Sequence, residues 1–186
     1  MEEKKKQIII KEVISWGKTI AIAIVVVLVC RYFLMTPVSV QGESMFPTLE
    51  QNNKLVVTKI TPLERFDLLV FDSPDHDDEQ YIKRIIGLPG DTVEMRDDVL
   101  IVNDEVYNES YVNKEVDGET PEKITNDFTL EDLTERSVVP EGHYFVLGDN
   151  RMRSRDSRDF GFISEDLVIG EAKFRFYPFT HFGVVE

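Results

Sequence analysis

The sequence predicts a mostly β protein, in which an N-terminal transmembrane helix is followed by a β-rich domain of short strands. Three observations carry this prediction. An uncharged apolar run lies near the N-terminus, short apolar segments recur behind it, and turn residues separate those segments. The chain divides accordingly into a tail at 1–13, an anchor at 14–36, and a domain at 37–186 with an acidic insertion at about 103–137.

No charged residue lies between Lys18 and Arg31. That run alone falls short of the ~20 apolar residues that a bilayer requires. Trp16 and Tyr32 stand near its ends, as interfacial aromatics do, and Lys18 and Arg31 can reach outward along their own methylenes. With these flanks the segment is long enough to span, and Pro37 is expected to end the helix. A cleaved leader would need small residues where Arg31, Tyr32 and Phe33 stand, so the anchor is expected to remain uncleaved. A soluble core helix would not usually be apolar all round. Lys4, Lys5, Lys6 and Lys11 put the N-terminus in the cytoplasm and the domain outside.

Strands are expected at 54–60, 68–71, 81–86, 92–95, 99–102, 144–147 and 172–177, and no long helical period interrupts them. Turns fall at Leu88-Pro89-Gly90-Asp91, Asn103-Asp104, Pro140-Glu141-Gly142 and Gly148-Asp149-Asn150. Residues 103–137 are acidic and polar. They read as a solvated surface excursion with a strand near 106–112.

Composition narrows the function. The 186 residues, 42% apolar with 12 Phe and 6 Tyr, can form a folded core. A net charge of -14 makes nucleic acid an unexpected partner. The single cysteine, Cys30, allows neither an intramolecular disulfide nor a cysteine-built zinc site, and it reads as a small hydrophobe. No metal or cofactor is expected.

The chemistry begins at Gly42-Glu43-Ser44-Met45-Phe46-Pro47-Thr48. Phe46 rules out the Gly-x-Ser-x-Gly elbow of the α/β-hydrolases. A serine hydroxyl attacks only when a base takes its proton. His76, His143 and His181 lack any supporting motif. Lys83 is different, because Tyr81-Ile82-Lys83-Arg84-Ile85-Ile86 places it in an apolar strand with Tyr81 and Ile85 on the same face. A lysine there is costly unless it is used, paired or at an edge, and burial can lower its pKa by about 3–5 pH units. Arg84 points the opposite way and can pair with a carboxylate. The segment from Gly148 to Gly161, with short polar residues between glycines, suits a tightly hydrogen-bonded turn that holds other groups in place.

These segments, with Phe66-Asp67-Leu68-Leu69-Val70-Phe71 and the extension of the lysine strand through Gly87-Leu88-Pro89-Gly90-Asp91, resemble type I signal peptidases. The likeness is to the short, single-anchor Gram-positive-like forms, and it spans nearly the whole chain. It implies a β core shared with LexA-like serine–lysine proteases and a serine endopeptidase that removes signal peptides from secretory preproteins. Small residues would be preferred at positions -1 and -3. The resemblance makes Ser44 the nucleophile and Lys83 the general base, with Ser154 orienting the lysine. Asp156, Arg158, Arg84 and Asp149 would support them. The oxyanion would rest on the backbone of Ser44 and Gly42, since Gly42 stands where some relatives carry a serine. Motif position makes Val38, Val40, Met45, Tyr81 and Ile82 the substrate-binding residues. The implied location is the cell membrane, with lipid and preproteins as partners.

Three rivals remain open on sequence grounds. A self-cleaving LexA-type repressor would need a DNA-binding domain in place of the anchor. A membrane-anchored, non-catalytic binding domain would depend on neither Ser44 nor Lys83. A Ser–His–Asp hydrolase would require one of the three histidines.

Overall fold

The computed structural model describes residues 2–33, 35–76, 78–115, 118–119 and 121–185; the side chains of 2–10, 29–33 and 35 lie outside the described ones. The chain forms two compact units, Met1–Thr36 and Pro37–Glu186.

The first unit is the helix α1 (Glu2–Phe33). It begins well before the expected position 14, because no glycine or proline precedes Gly17 to interrupt it. It also ends at Phe33, and Pro37 lies inside the following strand instead of terminating the helix. The apolar side chains described on it do not form a single stripe, and they are exposed, Trp16 at 70% and Ile22 at 65%. Among the described residues, no helix is long and apolar enough to cross a membrane. The anchor expected at 14–36 runs in part over 29–35, whose side chains lie outside the described residues.

The second unit is built on two sheets. The strands in chain order are β1 (Met35–Ser39), β2 (Lys54–Thr58), β3 (Leu68–Asp72), β4 (Gln80–Gly87), β5 (Val93–Arg96), β6 (Val99–Val102), β7 (Glu105–Tyr107), β8 (Phe128–Thr129), β9 (His143–Leu147), β10 (Ile163–Ser164), β11 (Val168–Tyr177) and β12 (Gly183–Val184). Short helices α2 (Leu130–Thr134) and α3 (Ser157–Phe160) punctuate them. Among the described residues the first sheet runs β1-β2-β11-β3-β4-β9-β10, with β12 added to β11, and the second runs β7-β6-β5-β8.

Period two explains how the first sheet is packed. In β3, Leu68 and Val70 join one apolar cluster with Leu49, Leu55 and Val57, while Leu69 and Phe71 join another with Ile85, Val146 and Ile163. A strand buried on both faces reads as the continuous apolar run seen at 68–71. The second sheet closes over a third cluster that includes Val93, Met95, Leu100, Val102, Phe128 and Phe145. Gly170 lets β11 approach β2: its φ is +150°, and a Cβ there would lie 2.2 Å from Thr58 O.

Several boundaries differ from expectation. The expected strand at 172–177 starts at Val168, and the one near 106–112 is confined to Glu105–Tyr107. Residues 103–137 are not merely a solvated excursion. Thr125, Phe128 and Leu130 are buried, β8 pairs with β5, and a Thr129–Asp132 capping box starts α2. A two-residue strand is too short to show a period, so only its charge was legible.

This frame positions the site. Strand β4 lies between β3 and β9 in the interior of the first sheet. The loop between β1 and β2 is closed at its base, where Val40 N donates to Asn53 O at 2.8 Å and Asn52 N donates to Val40 O at 3.0 Å.

Candidate active site

Ser44 sits in that loop, which the residue after Asp149 grips from behind. Asn150 N donates to Ser44 O at 3.0 Å, and its Nδ2 donates to Glu43 O at 3.1 Å. Only carbonyls are used in this grip. Among the described residues, no hydrogen bond runs from the Ser44 N–H. Gly42, at φ +80°, brings no side-chain donor.

Lys83 comes from β4 and is 4% exposed. Its Nζ lies 2.8 Å from Ser44 Oγ and donates to Ile82 O at 3.1 Å. Burial pulls its pKa down from 10.5 to about 8, against the opposing fields of Asp156 and Asp149. A neutral amine therefore forms at a pH where an ordinary lysine stays charged. The Tyr81 ring lies 5.2 Å from the Nζ.

Two buried carboxylates hold the surroundings. Asp149 accepts from Arg84 Nε at 2.9 Å and Nη2 at 2.7 Å, and Thr48 Oγ1 donates to it as well. Arg84 Nη1 also donates to Phe66 O at 2.8 Å. Asp156 accepts from Gly148 N at 2.9 Å and from both Nε and Nη2 of Arg158, at 2.8 and 2.9 Å. Arg158 Nη2 goes on to Arg151 O at 2.7 Å. The supporting residues named from sequence thus gather around Ser44 and Lys83.

Ser154 is placed differently from its expected role. Its Oγ is buried and makes no hydrogen bond among the described residues, to Lys83 or to any other group. It packs instead against Gly148, where a Cβ would come within 2.1 Å of Ser154 Oγ and 2.6 Å of Ser44 O. Gly148→Ala is therefore expected to displace the nucleophile loop and lower single-turnover cleavage by on the order of 100-fold. A wild-type single-turnover rate in that variant would show that the loop can give way at no cost.

The expected substrate-binding residues divide. Val40, Met45 and Ile82 are buried in the first cluster, with Val38 packed against it. Tyr81 lies with Phe71 and Phe160 on the other side of β4. A cleft of ≈ 370 Å³ opens beside the serine loop, lined in part by Glu43, Phe46, Asn150 and Arg153. His143 Nδ1 lies 2.9 Å from Glu141 O, and none of the three histidines is hydrogen-bonded to Ser44 among the described residues. No group of three or more potential metal ligands gathers among the described residues.

A family profile described as signal peptidase, peptidase S26, matches residues 13–177. The chain belongs to that family. It is a serine protease of the type I signal peptidase kind, and its relatives bear this out. It is 41% identical to signal peptidase IB of Staphylococcus aureus (strain COL) over 180 residues, 92% of this chain and 93% of that protein. It is 44% identical to signal peptidase I of Bacillus caldolyticus over 170 residues, 87% of this chain and 90% of that protein. The crystal structure of a signal peptidase I from Enterococcus faecalis V583 matches with a TM-score of 0.54 and 45% identity, covering 61% of this chain and 98% of that one. The mostly β fold is that of the family.

Sequence reasoning missed part of this family member's site. Glu109 and Asn113, in the stretch read as a solvated excursion, dock on the 148–161 segment, and Tyr111 docks on β4. Glu109 pairs with Arg151 inside the protein, Tyr111 lies under Arg84, and Asn113 N donates to Asp149 O at 3.1 Å. Thr48 and Asn150 were visible within motifs, but nothing local marked them as partners of Asp149 and Ser44.

Proposed function

We propose that Ser44 and Lys83 form the catalytic pair of a membrane-bound endopeptidase that removes N-terminal signal peptides from exported preproteins. The 2.8 Å approach of a buried lysine amine to the serine hydroxyl carries this reading. Neutral Lys83 takes the Ser44 proton as Oγ attacks the scissile carbonyl. The oxyanion rests on the Ser44 N–H, with the Gly42 backbone as the second contact. Collapse breaks the C–N bond, and the lysine ammonium protonates the leaving amine. A water molecule then attacks the acyl-enzyme, with Lys83 again the base, and releases the free carboxylate and Ser44. Asp149, Asp156, Arg84 and Arg158 keep the strand and the two loops in register, and Ser154 packs against Gly148 behind the serine loop.

The substrate is an extended chain with small residues at positions -1 and -3. The apolar cluster of Val40, Met45 and Ile82, with Val38 packed against it, forms the floor against which those residues lie. Tyr81 flanks the lysine from the other side. Helix α1 acts as the anchor, holding the site near the lipid where a signal peptide resides. Its 32 residues correspond to about 48 Å at ~1.5 Å per residue, its described apolar side chains are exposed, and lysines open its sequence. In this arrangement 1–13 face the cytoplasm, 14–36 cross, and 37–186 work outside.

The test uses the detergent-solubilised full chain and a preprotein with an Ala-x-Ala site. Product sequencing is expected to place the cut after the second alanine, and a preprotein with large residues at -1 and -3 is expected to stay intact. A folded protein that binds the preprotein and cuts nothing would favour the non-catalytic binding domain.

A further inference from the structure

We propose that Tyr111 is a positioning residue for the serine–lysine pair, acting on Lys83 through Arg84 and Asp149. The inference rests on the assignment of Lys83 as the base.

The geometry forms one continuous path. Tyr111 OH donates to Glu109 Oε1 at 2.7 Å, and Glu109 pairs with Arg151, whose side chain is 1% exposed. Burial, with Glu109 next, raises the Tyr111 pKa far above its usual range, so the hydroxyl keeps its proton and stays a donor. The ring is thereby fixed with its face under Arg84, 4.0 Å from the guanidinium carbon. Arg84 is the neighbour of Lys83 in β4 and makes the two-pronged contact with Asp149. Asn113, two residues beyond Tyr111, ties its own N–H to Asp149 O. The segment 109–113 therefore holds both members of the Arg84–Asp149 pair, Tyr111 at the guanidinium and Asn113 at the Asp149 backbone.

Lys83 reads that pair electrostatically. The charged or titratable groups facing it are Ser44 from the loop, Tyr81 from its own strand, and Asp149 and Asp156 from the 148–161 segment, Asp149 being held by Arg84 and Asp156 by Arg158. Arg84 pairs through Nε and Nη2 with the Asp149 carboxylate, whose charge acts on Lys83. If the ring face is lost, water reaches the guanidinium and the pair loosens. The Asp149 carboxylate, less tightly paired, then acts more strongly on Lys83, and the site is wetter. Both changes favour the ammonium, so the base forms only at higher pH.

The experiment compares full-length wild type, Tyr111→Phe, Tyr111→Leu and Tyr111→Met, with Ser44→Ala as the blank, by the pH profile of kcat/KM on the Ala-x-Ala preprotein. The leucine and methionine side chains fill space without a π face. Both are expected to move the acid limb to higher pH and lower kcat by about tenfold at neutral pH, with KM little changed. Tyr111→Phe, which keeps the face, is expected to restore the limb to its wild-type position. A smaller amplitude with an unmoved limb in either aliphatic variant would reduce Tyr111 to packing and overturn the proposal. So would a limb displaced in Tyr111→Phe as far as in Tyr111→Leu. A wild type that cleaves without any acid limb would sink the assignment of Lys83 instead, and the two failures are thus told apart.

Discussion

Lys83→Met is expected to give a folded protein that cleaves nothing and resists urea better than the wild type. The loss of activity follows from the mechanism. Without a base the Ser44 hydroxyl keeps its proton, and a drop of at least about 10⁴-fold in kcat is expected. Ser44→Ala should be equally silent. The gain in stability follows from burial. The folded pKa of Lys83, about 8, lies below its ordinary value of 10.5. Below pH 8 the lysine is charged in both states, and the fold bears the full cost of holding that charge out of water. Between 8 and 10.5 the unfolded chain binds the extra proton, so stability rises with pH through this window. The difference amounts to about 3 kcal/mol, which methionine should recover at neutral pH. Urea unfolding at neutral and alkaline pH measures it. A methionine variant less stable than wild type would show that the lysine is not strained by its site. The same titration sets the wild-type acid limb, with kcat/KM rising through about pH 8 as the amine loses its proton.

Asp149→Ala has the opposite character and is expected to remove much of the fold's stability. Arg84 is 2% exposed, and it would lose the carboxylate that its Nε and Nη2 both reach. Phe66 O and the Tyr111 ring would still touch the guanidinium, but neither replaces the two-pronged carboxylate contact. Breaking a buried pair from one side costs about 3–5 kcal/mol, and Thr48 loses its acceptor as well. The urea midpoint should fall with an unchanged slope. Asp149→Asn, which keeps an acceptor of the same shape, should fall less. Equal stability of wild type and Asp149→Ala would mean that water or another carboxylate replaces the lost partner.

What could be read in advance followed from local chemistry. Lys83 stood out because a charge in an apolar alternating strand is conspicuous. The glycines at 148 and 161 and the short polar residues between them marked a tightly bonded turn. Strands β3, β4, β6 and β9 were legible because their apolar residues run together or alternate. Strands β8, β10 and β12, of two residues each, contain no period to read. The docking of Glu109 and Tyr111 was hidden for a different reason. Their partners Arg151 and Arg84 lie 42 and 27 positions away, and a polar segment that buries itself by pairing charges looks, in sequence, like one that faces water.

The place of β4 in its sheet also sets when the lysine can become a base. Ribosomal synthesis delivers Ser44 first and Lys83 thirty-nine residues later. At that point β4 has β3 as its only completed neighbour, and the register Arg84↔Leu147 cannot form until β9 has been made. An unfinished chain therefore carries both reacting groups with the lysine at an open sheet edge, hydrated and protonated. On the proposed mechanism, the pair is therefore expected to be complete only after β9 has paired with β4.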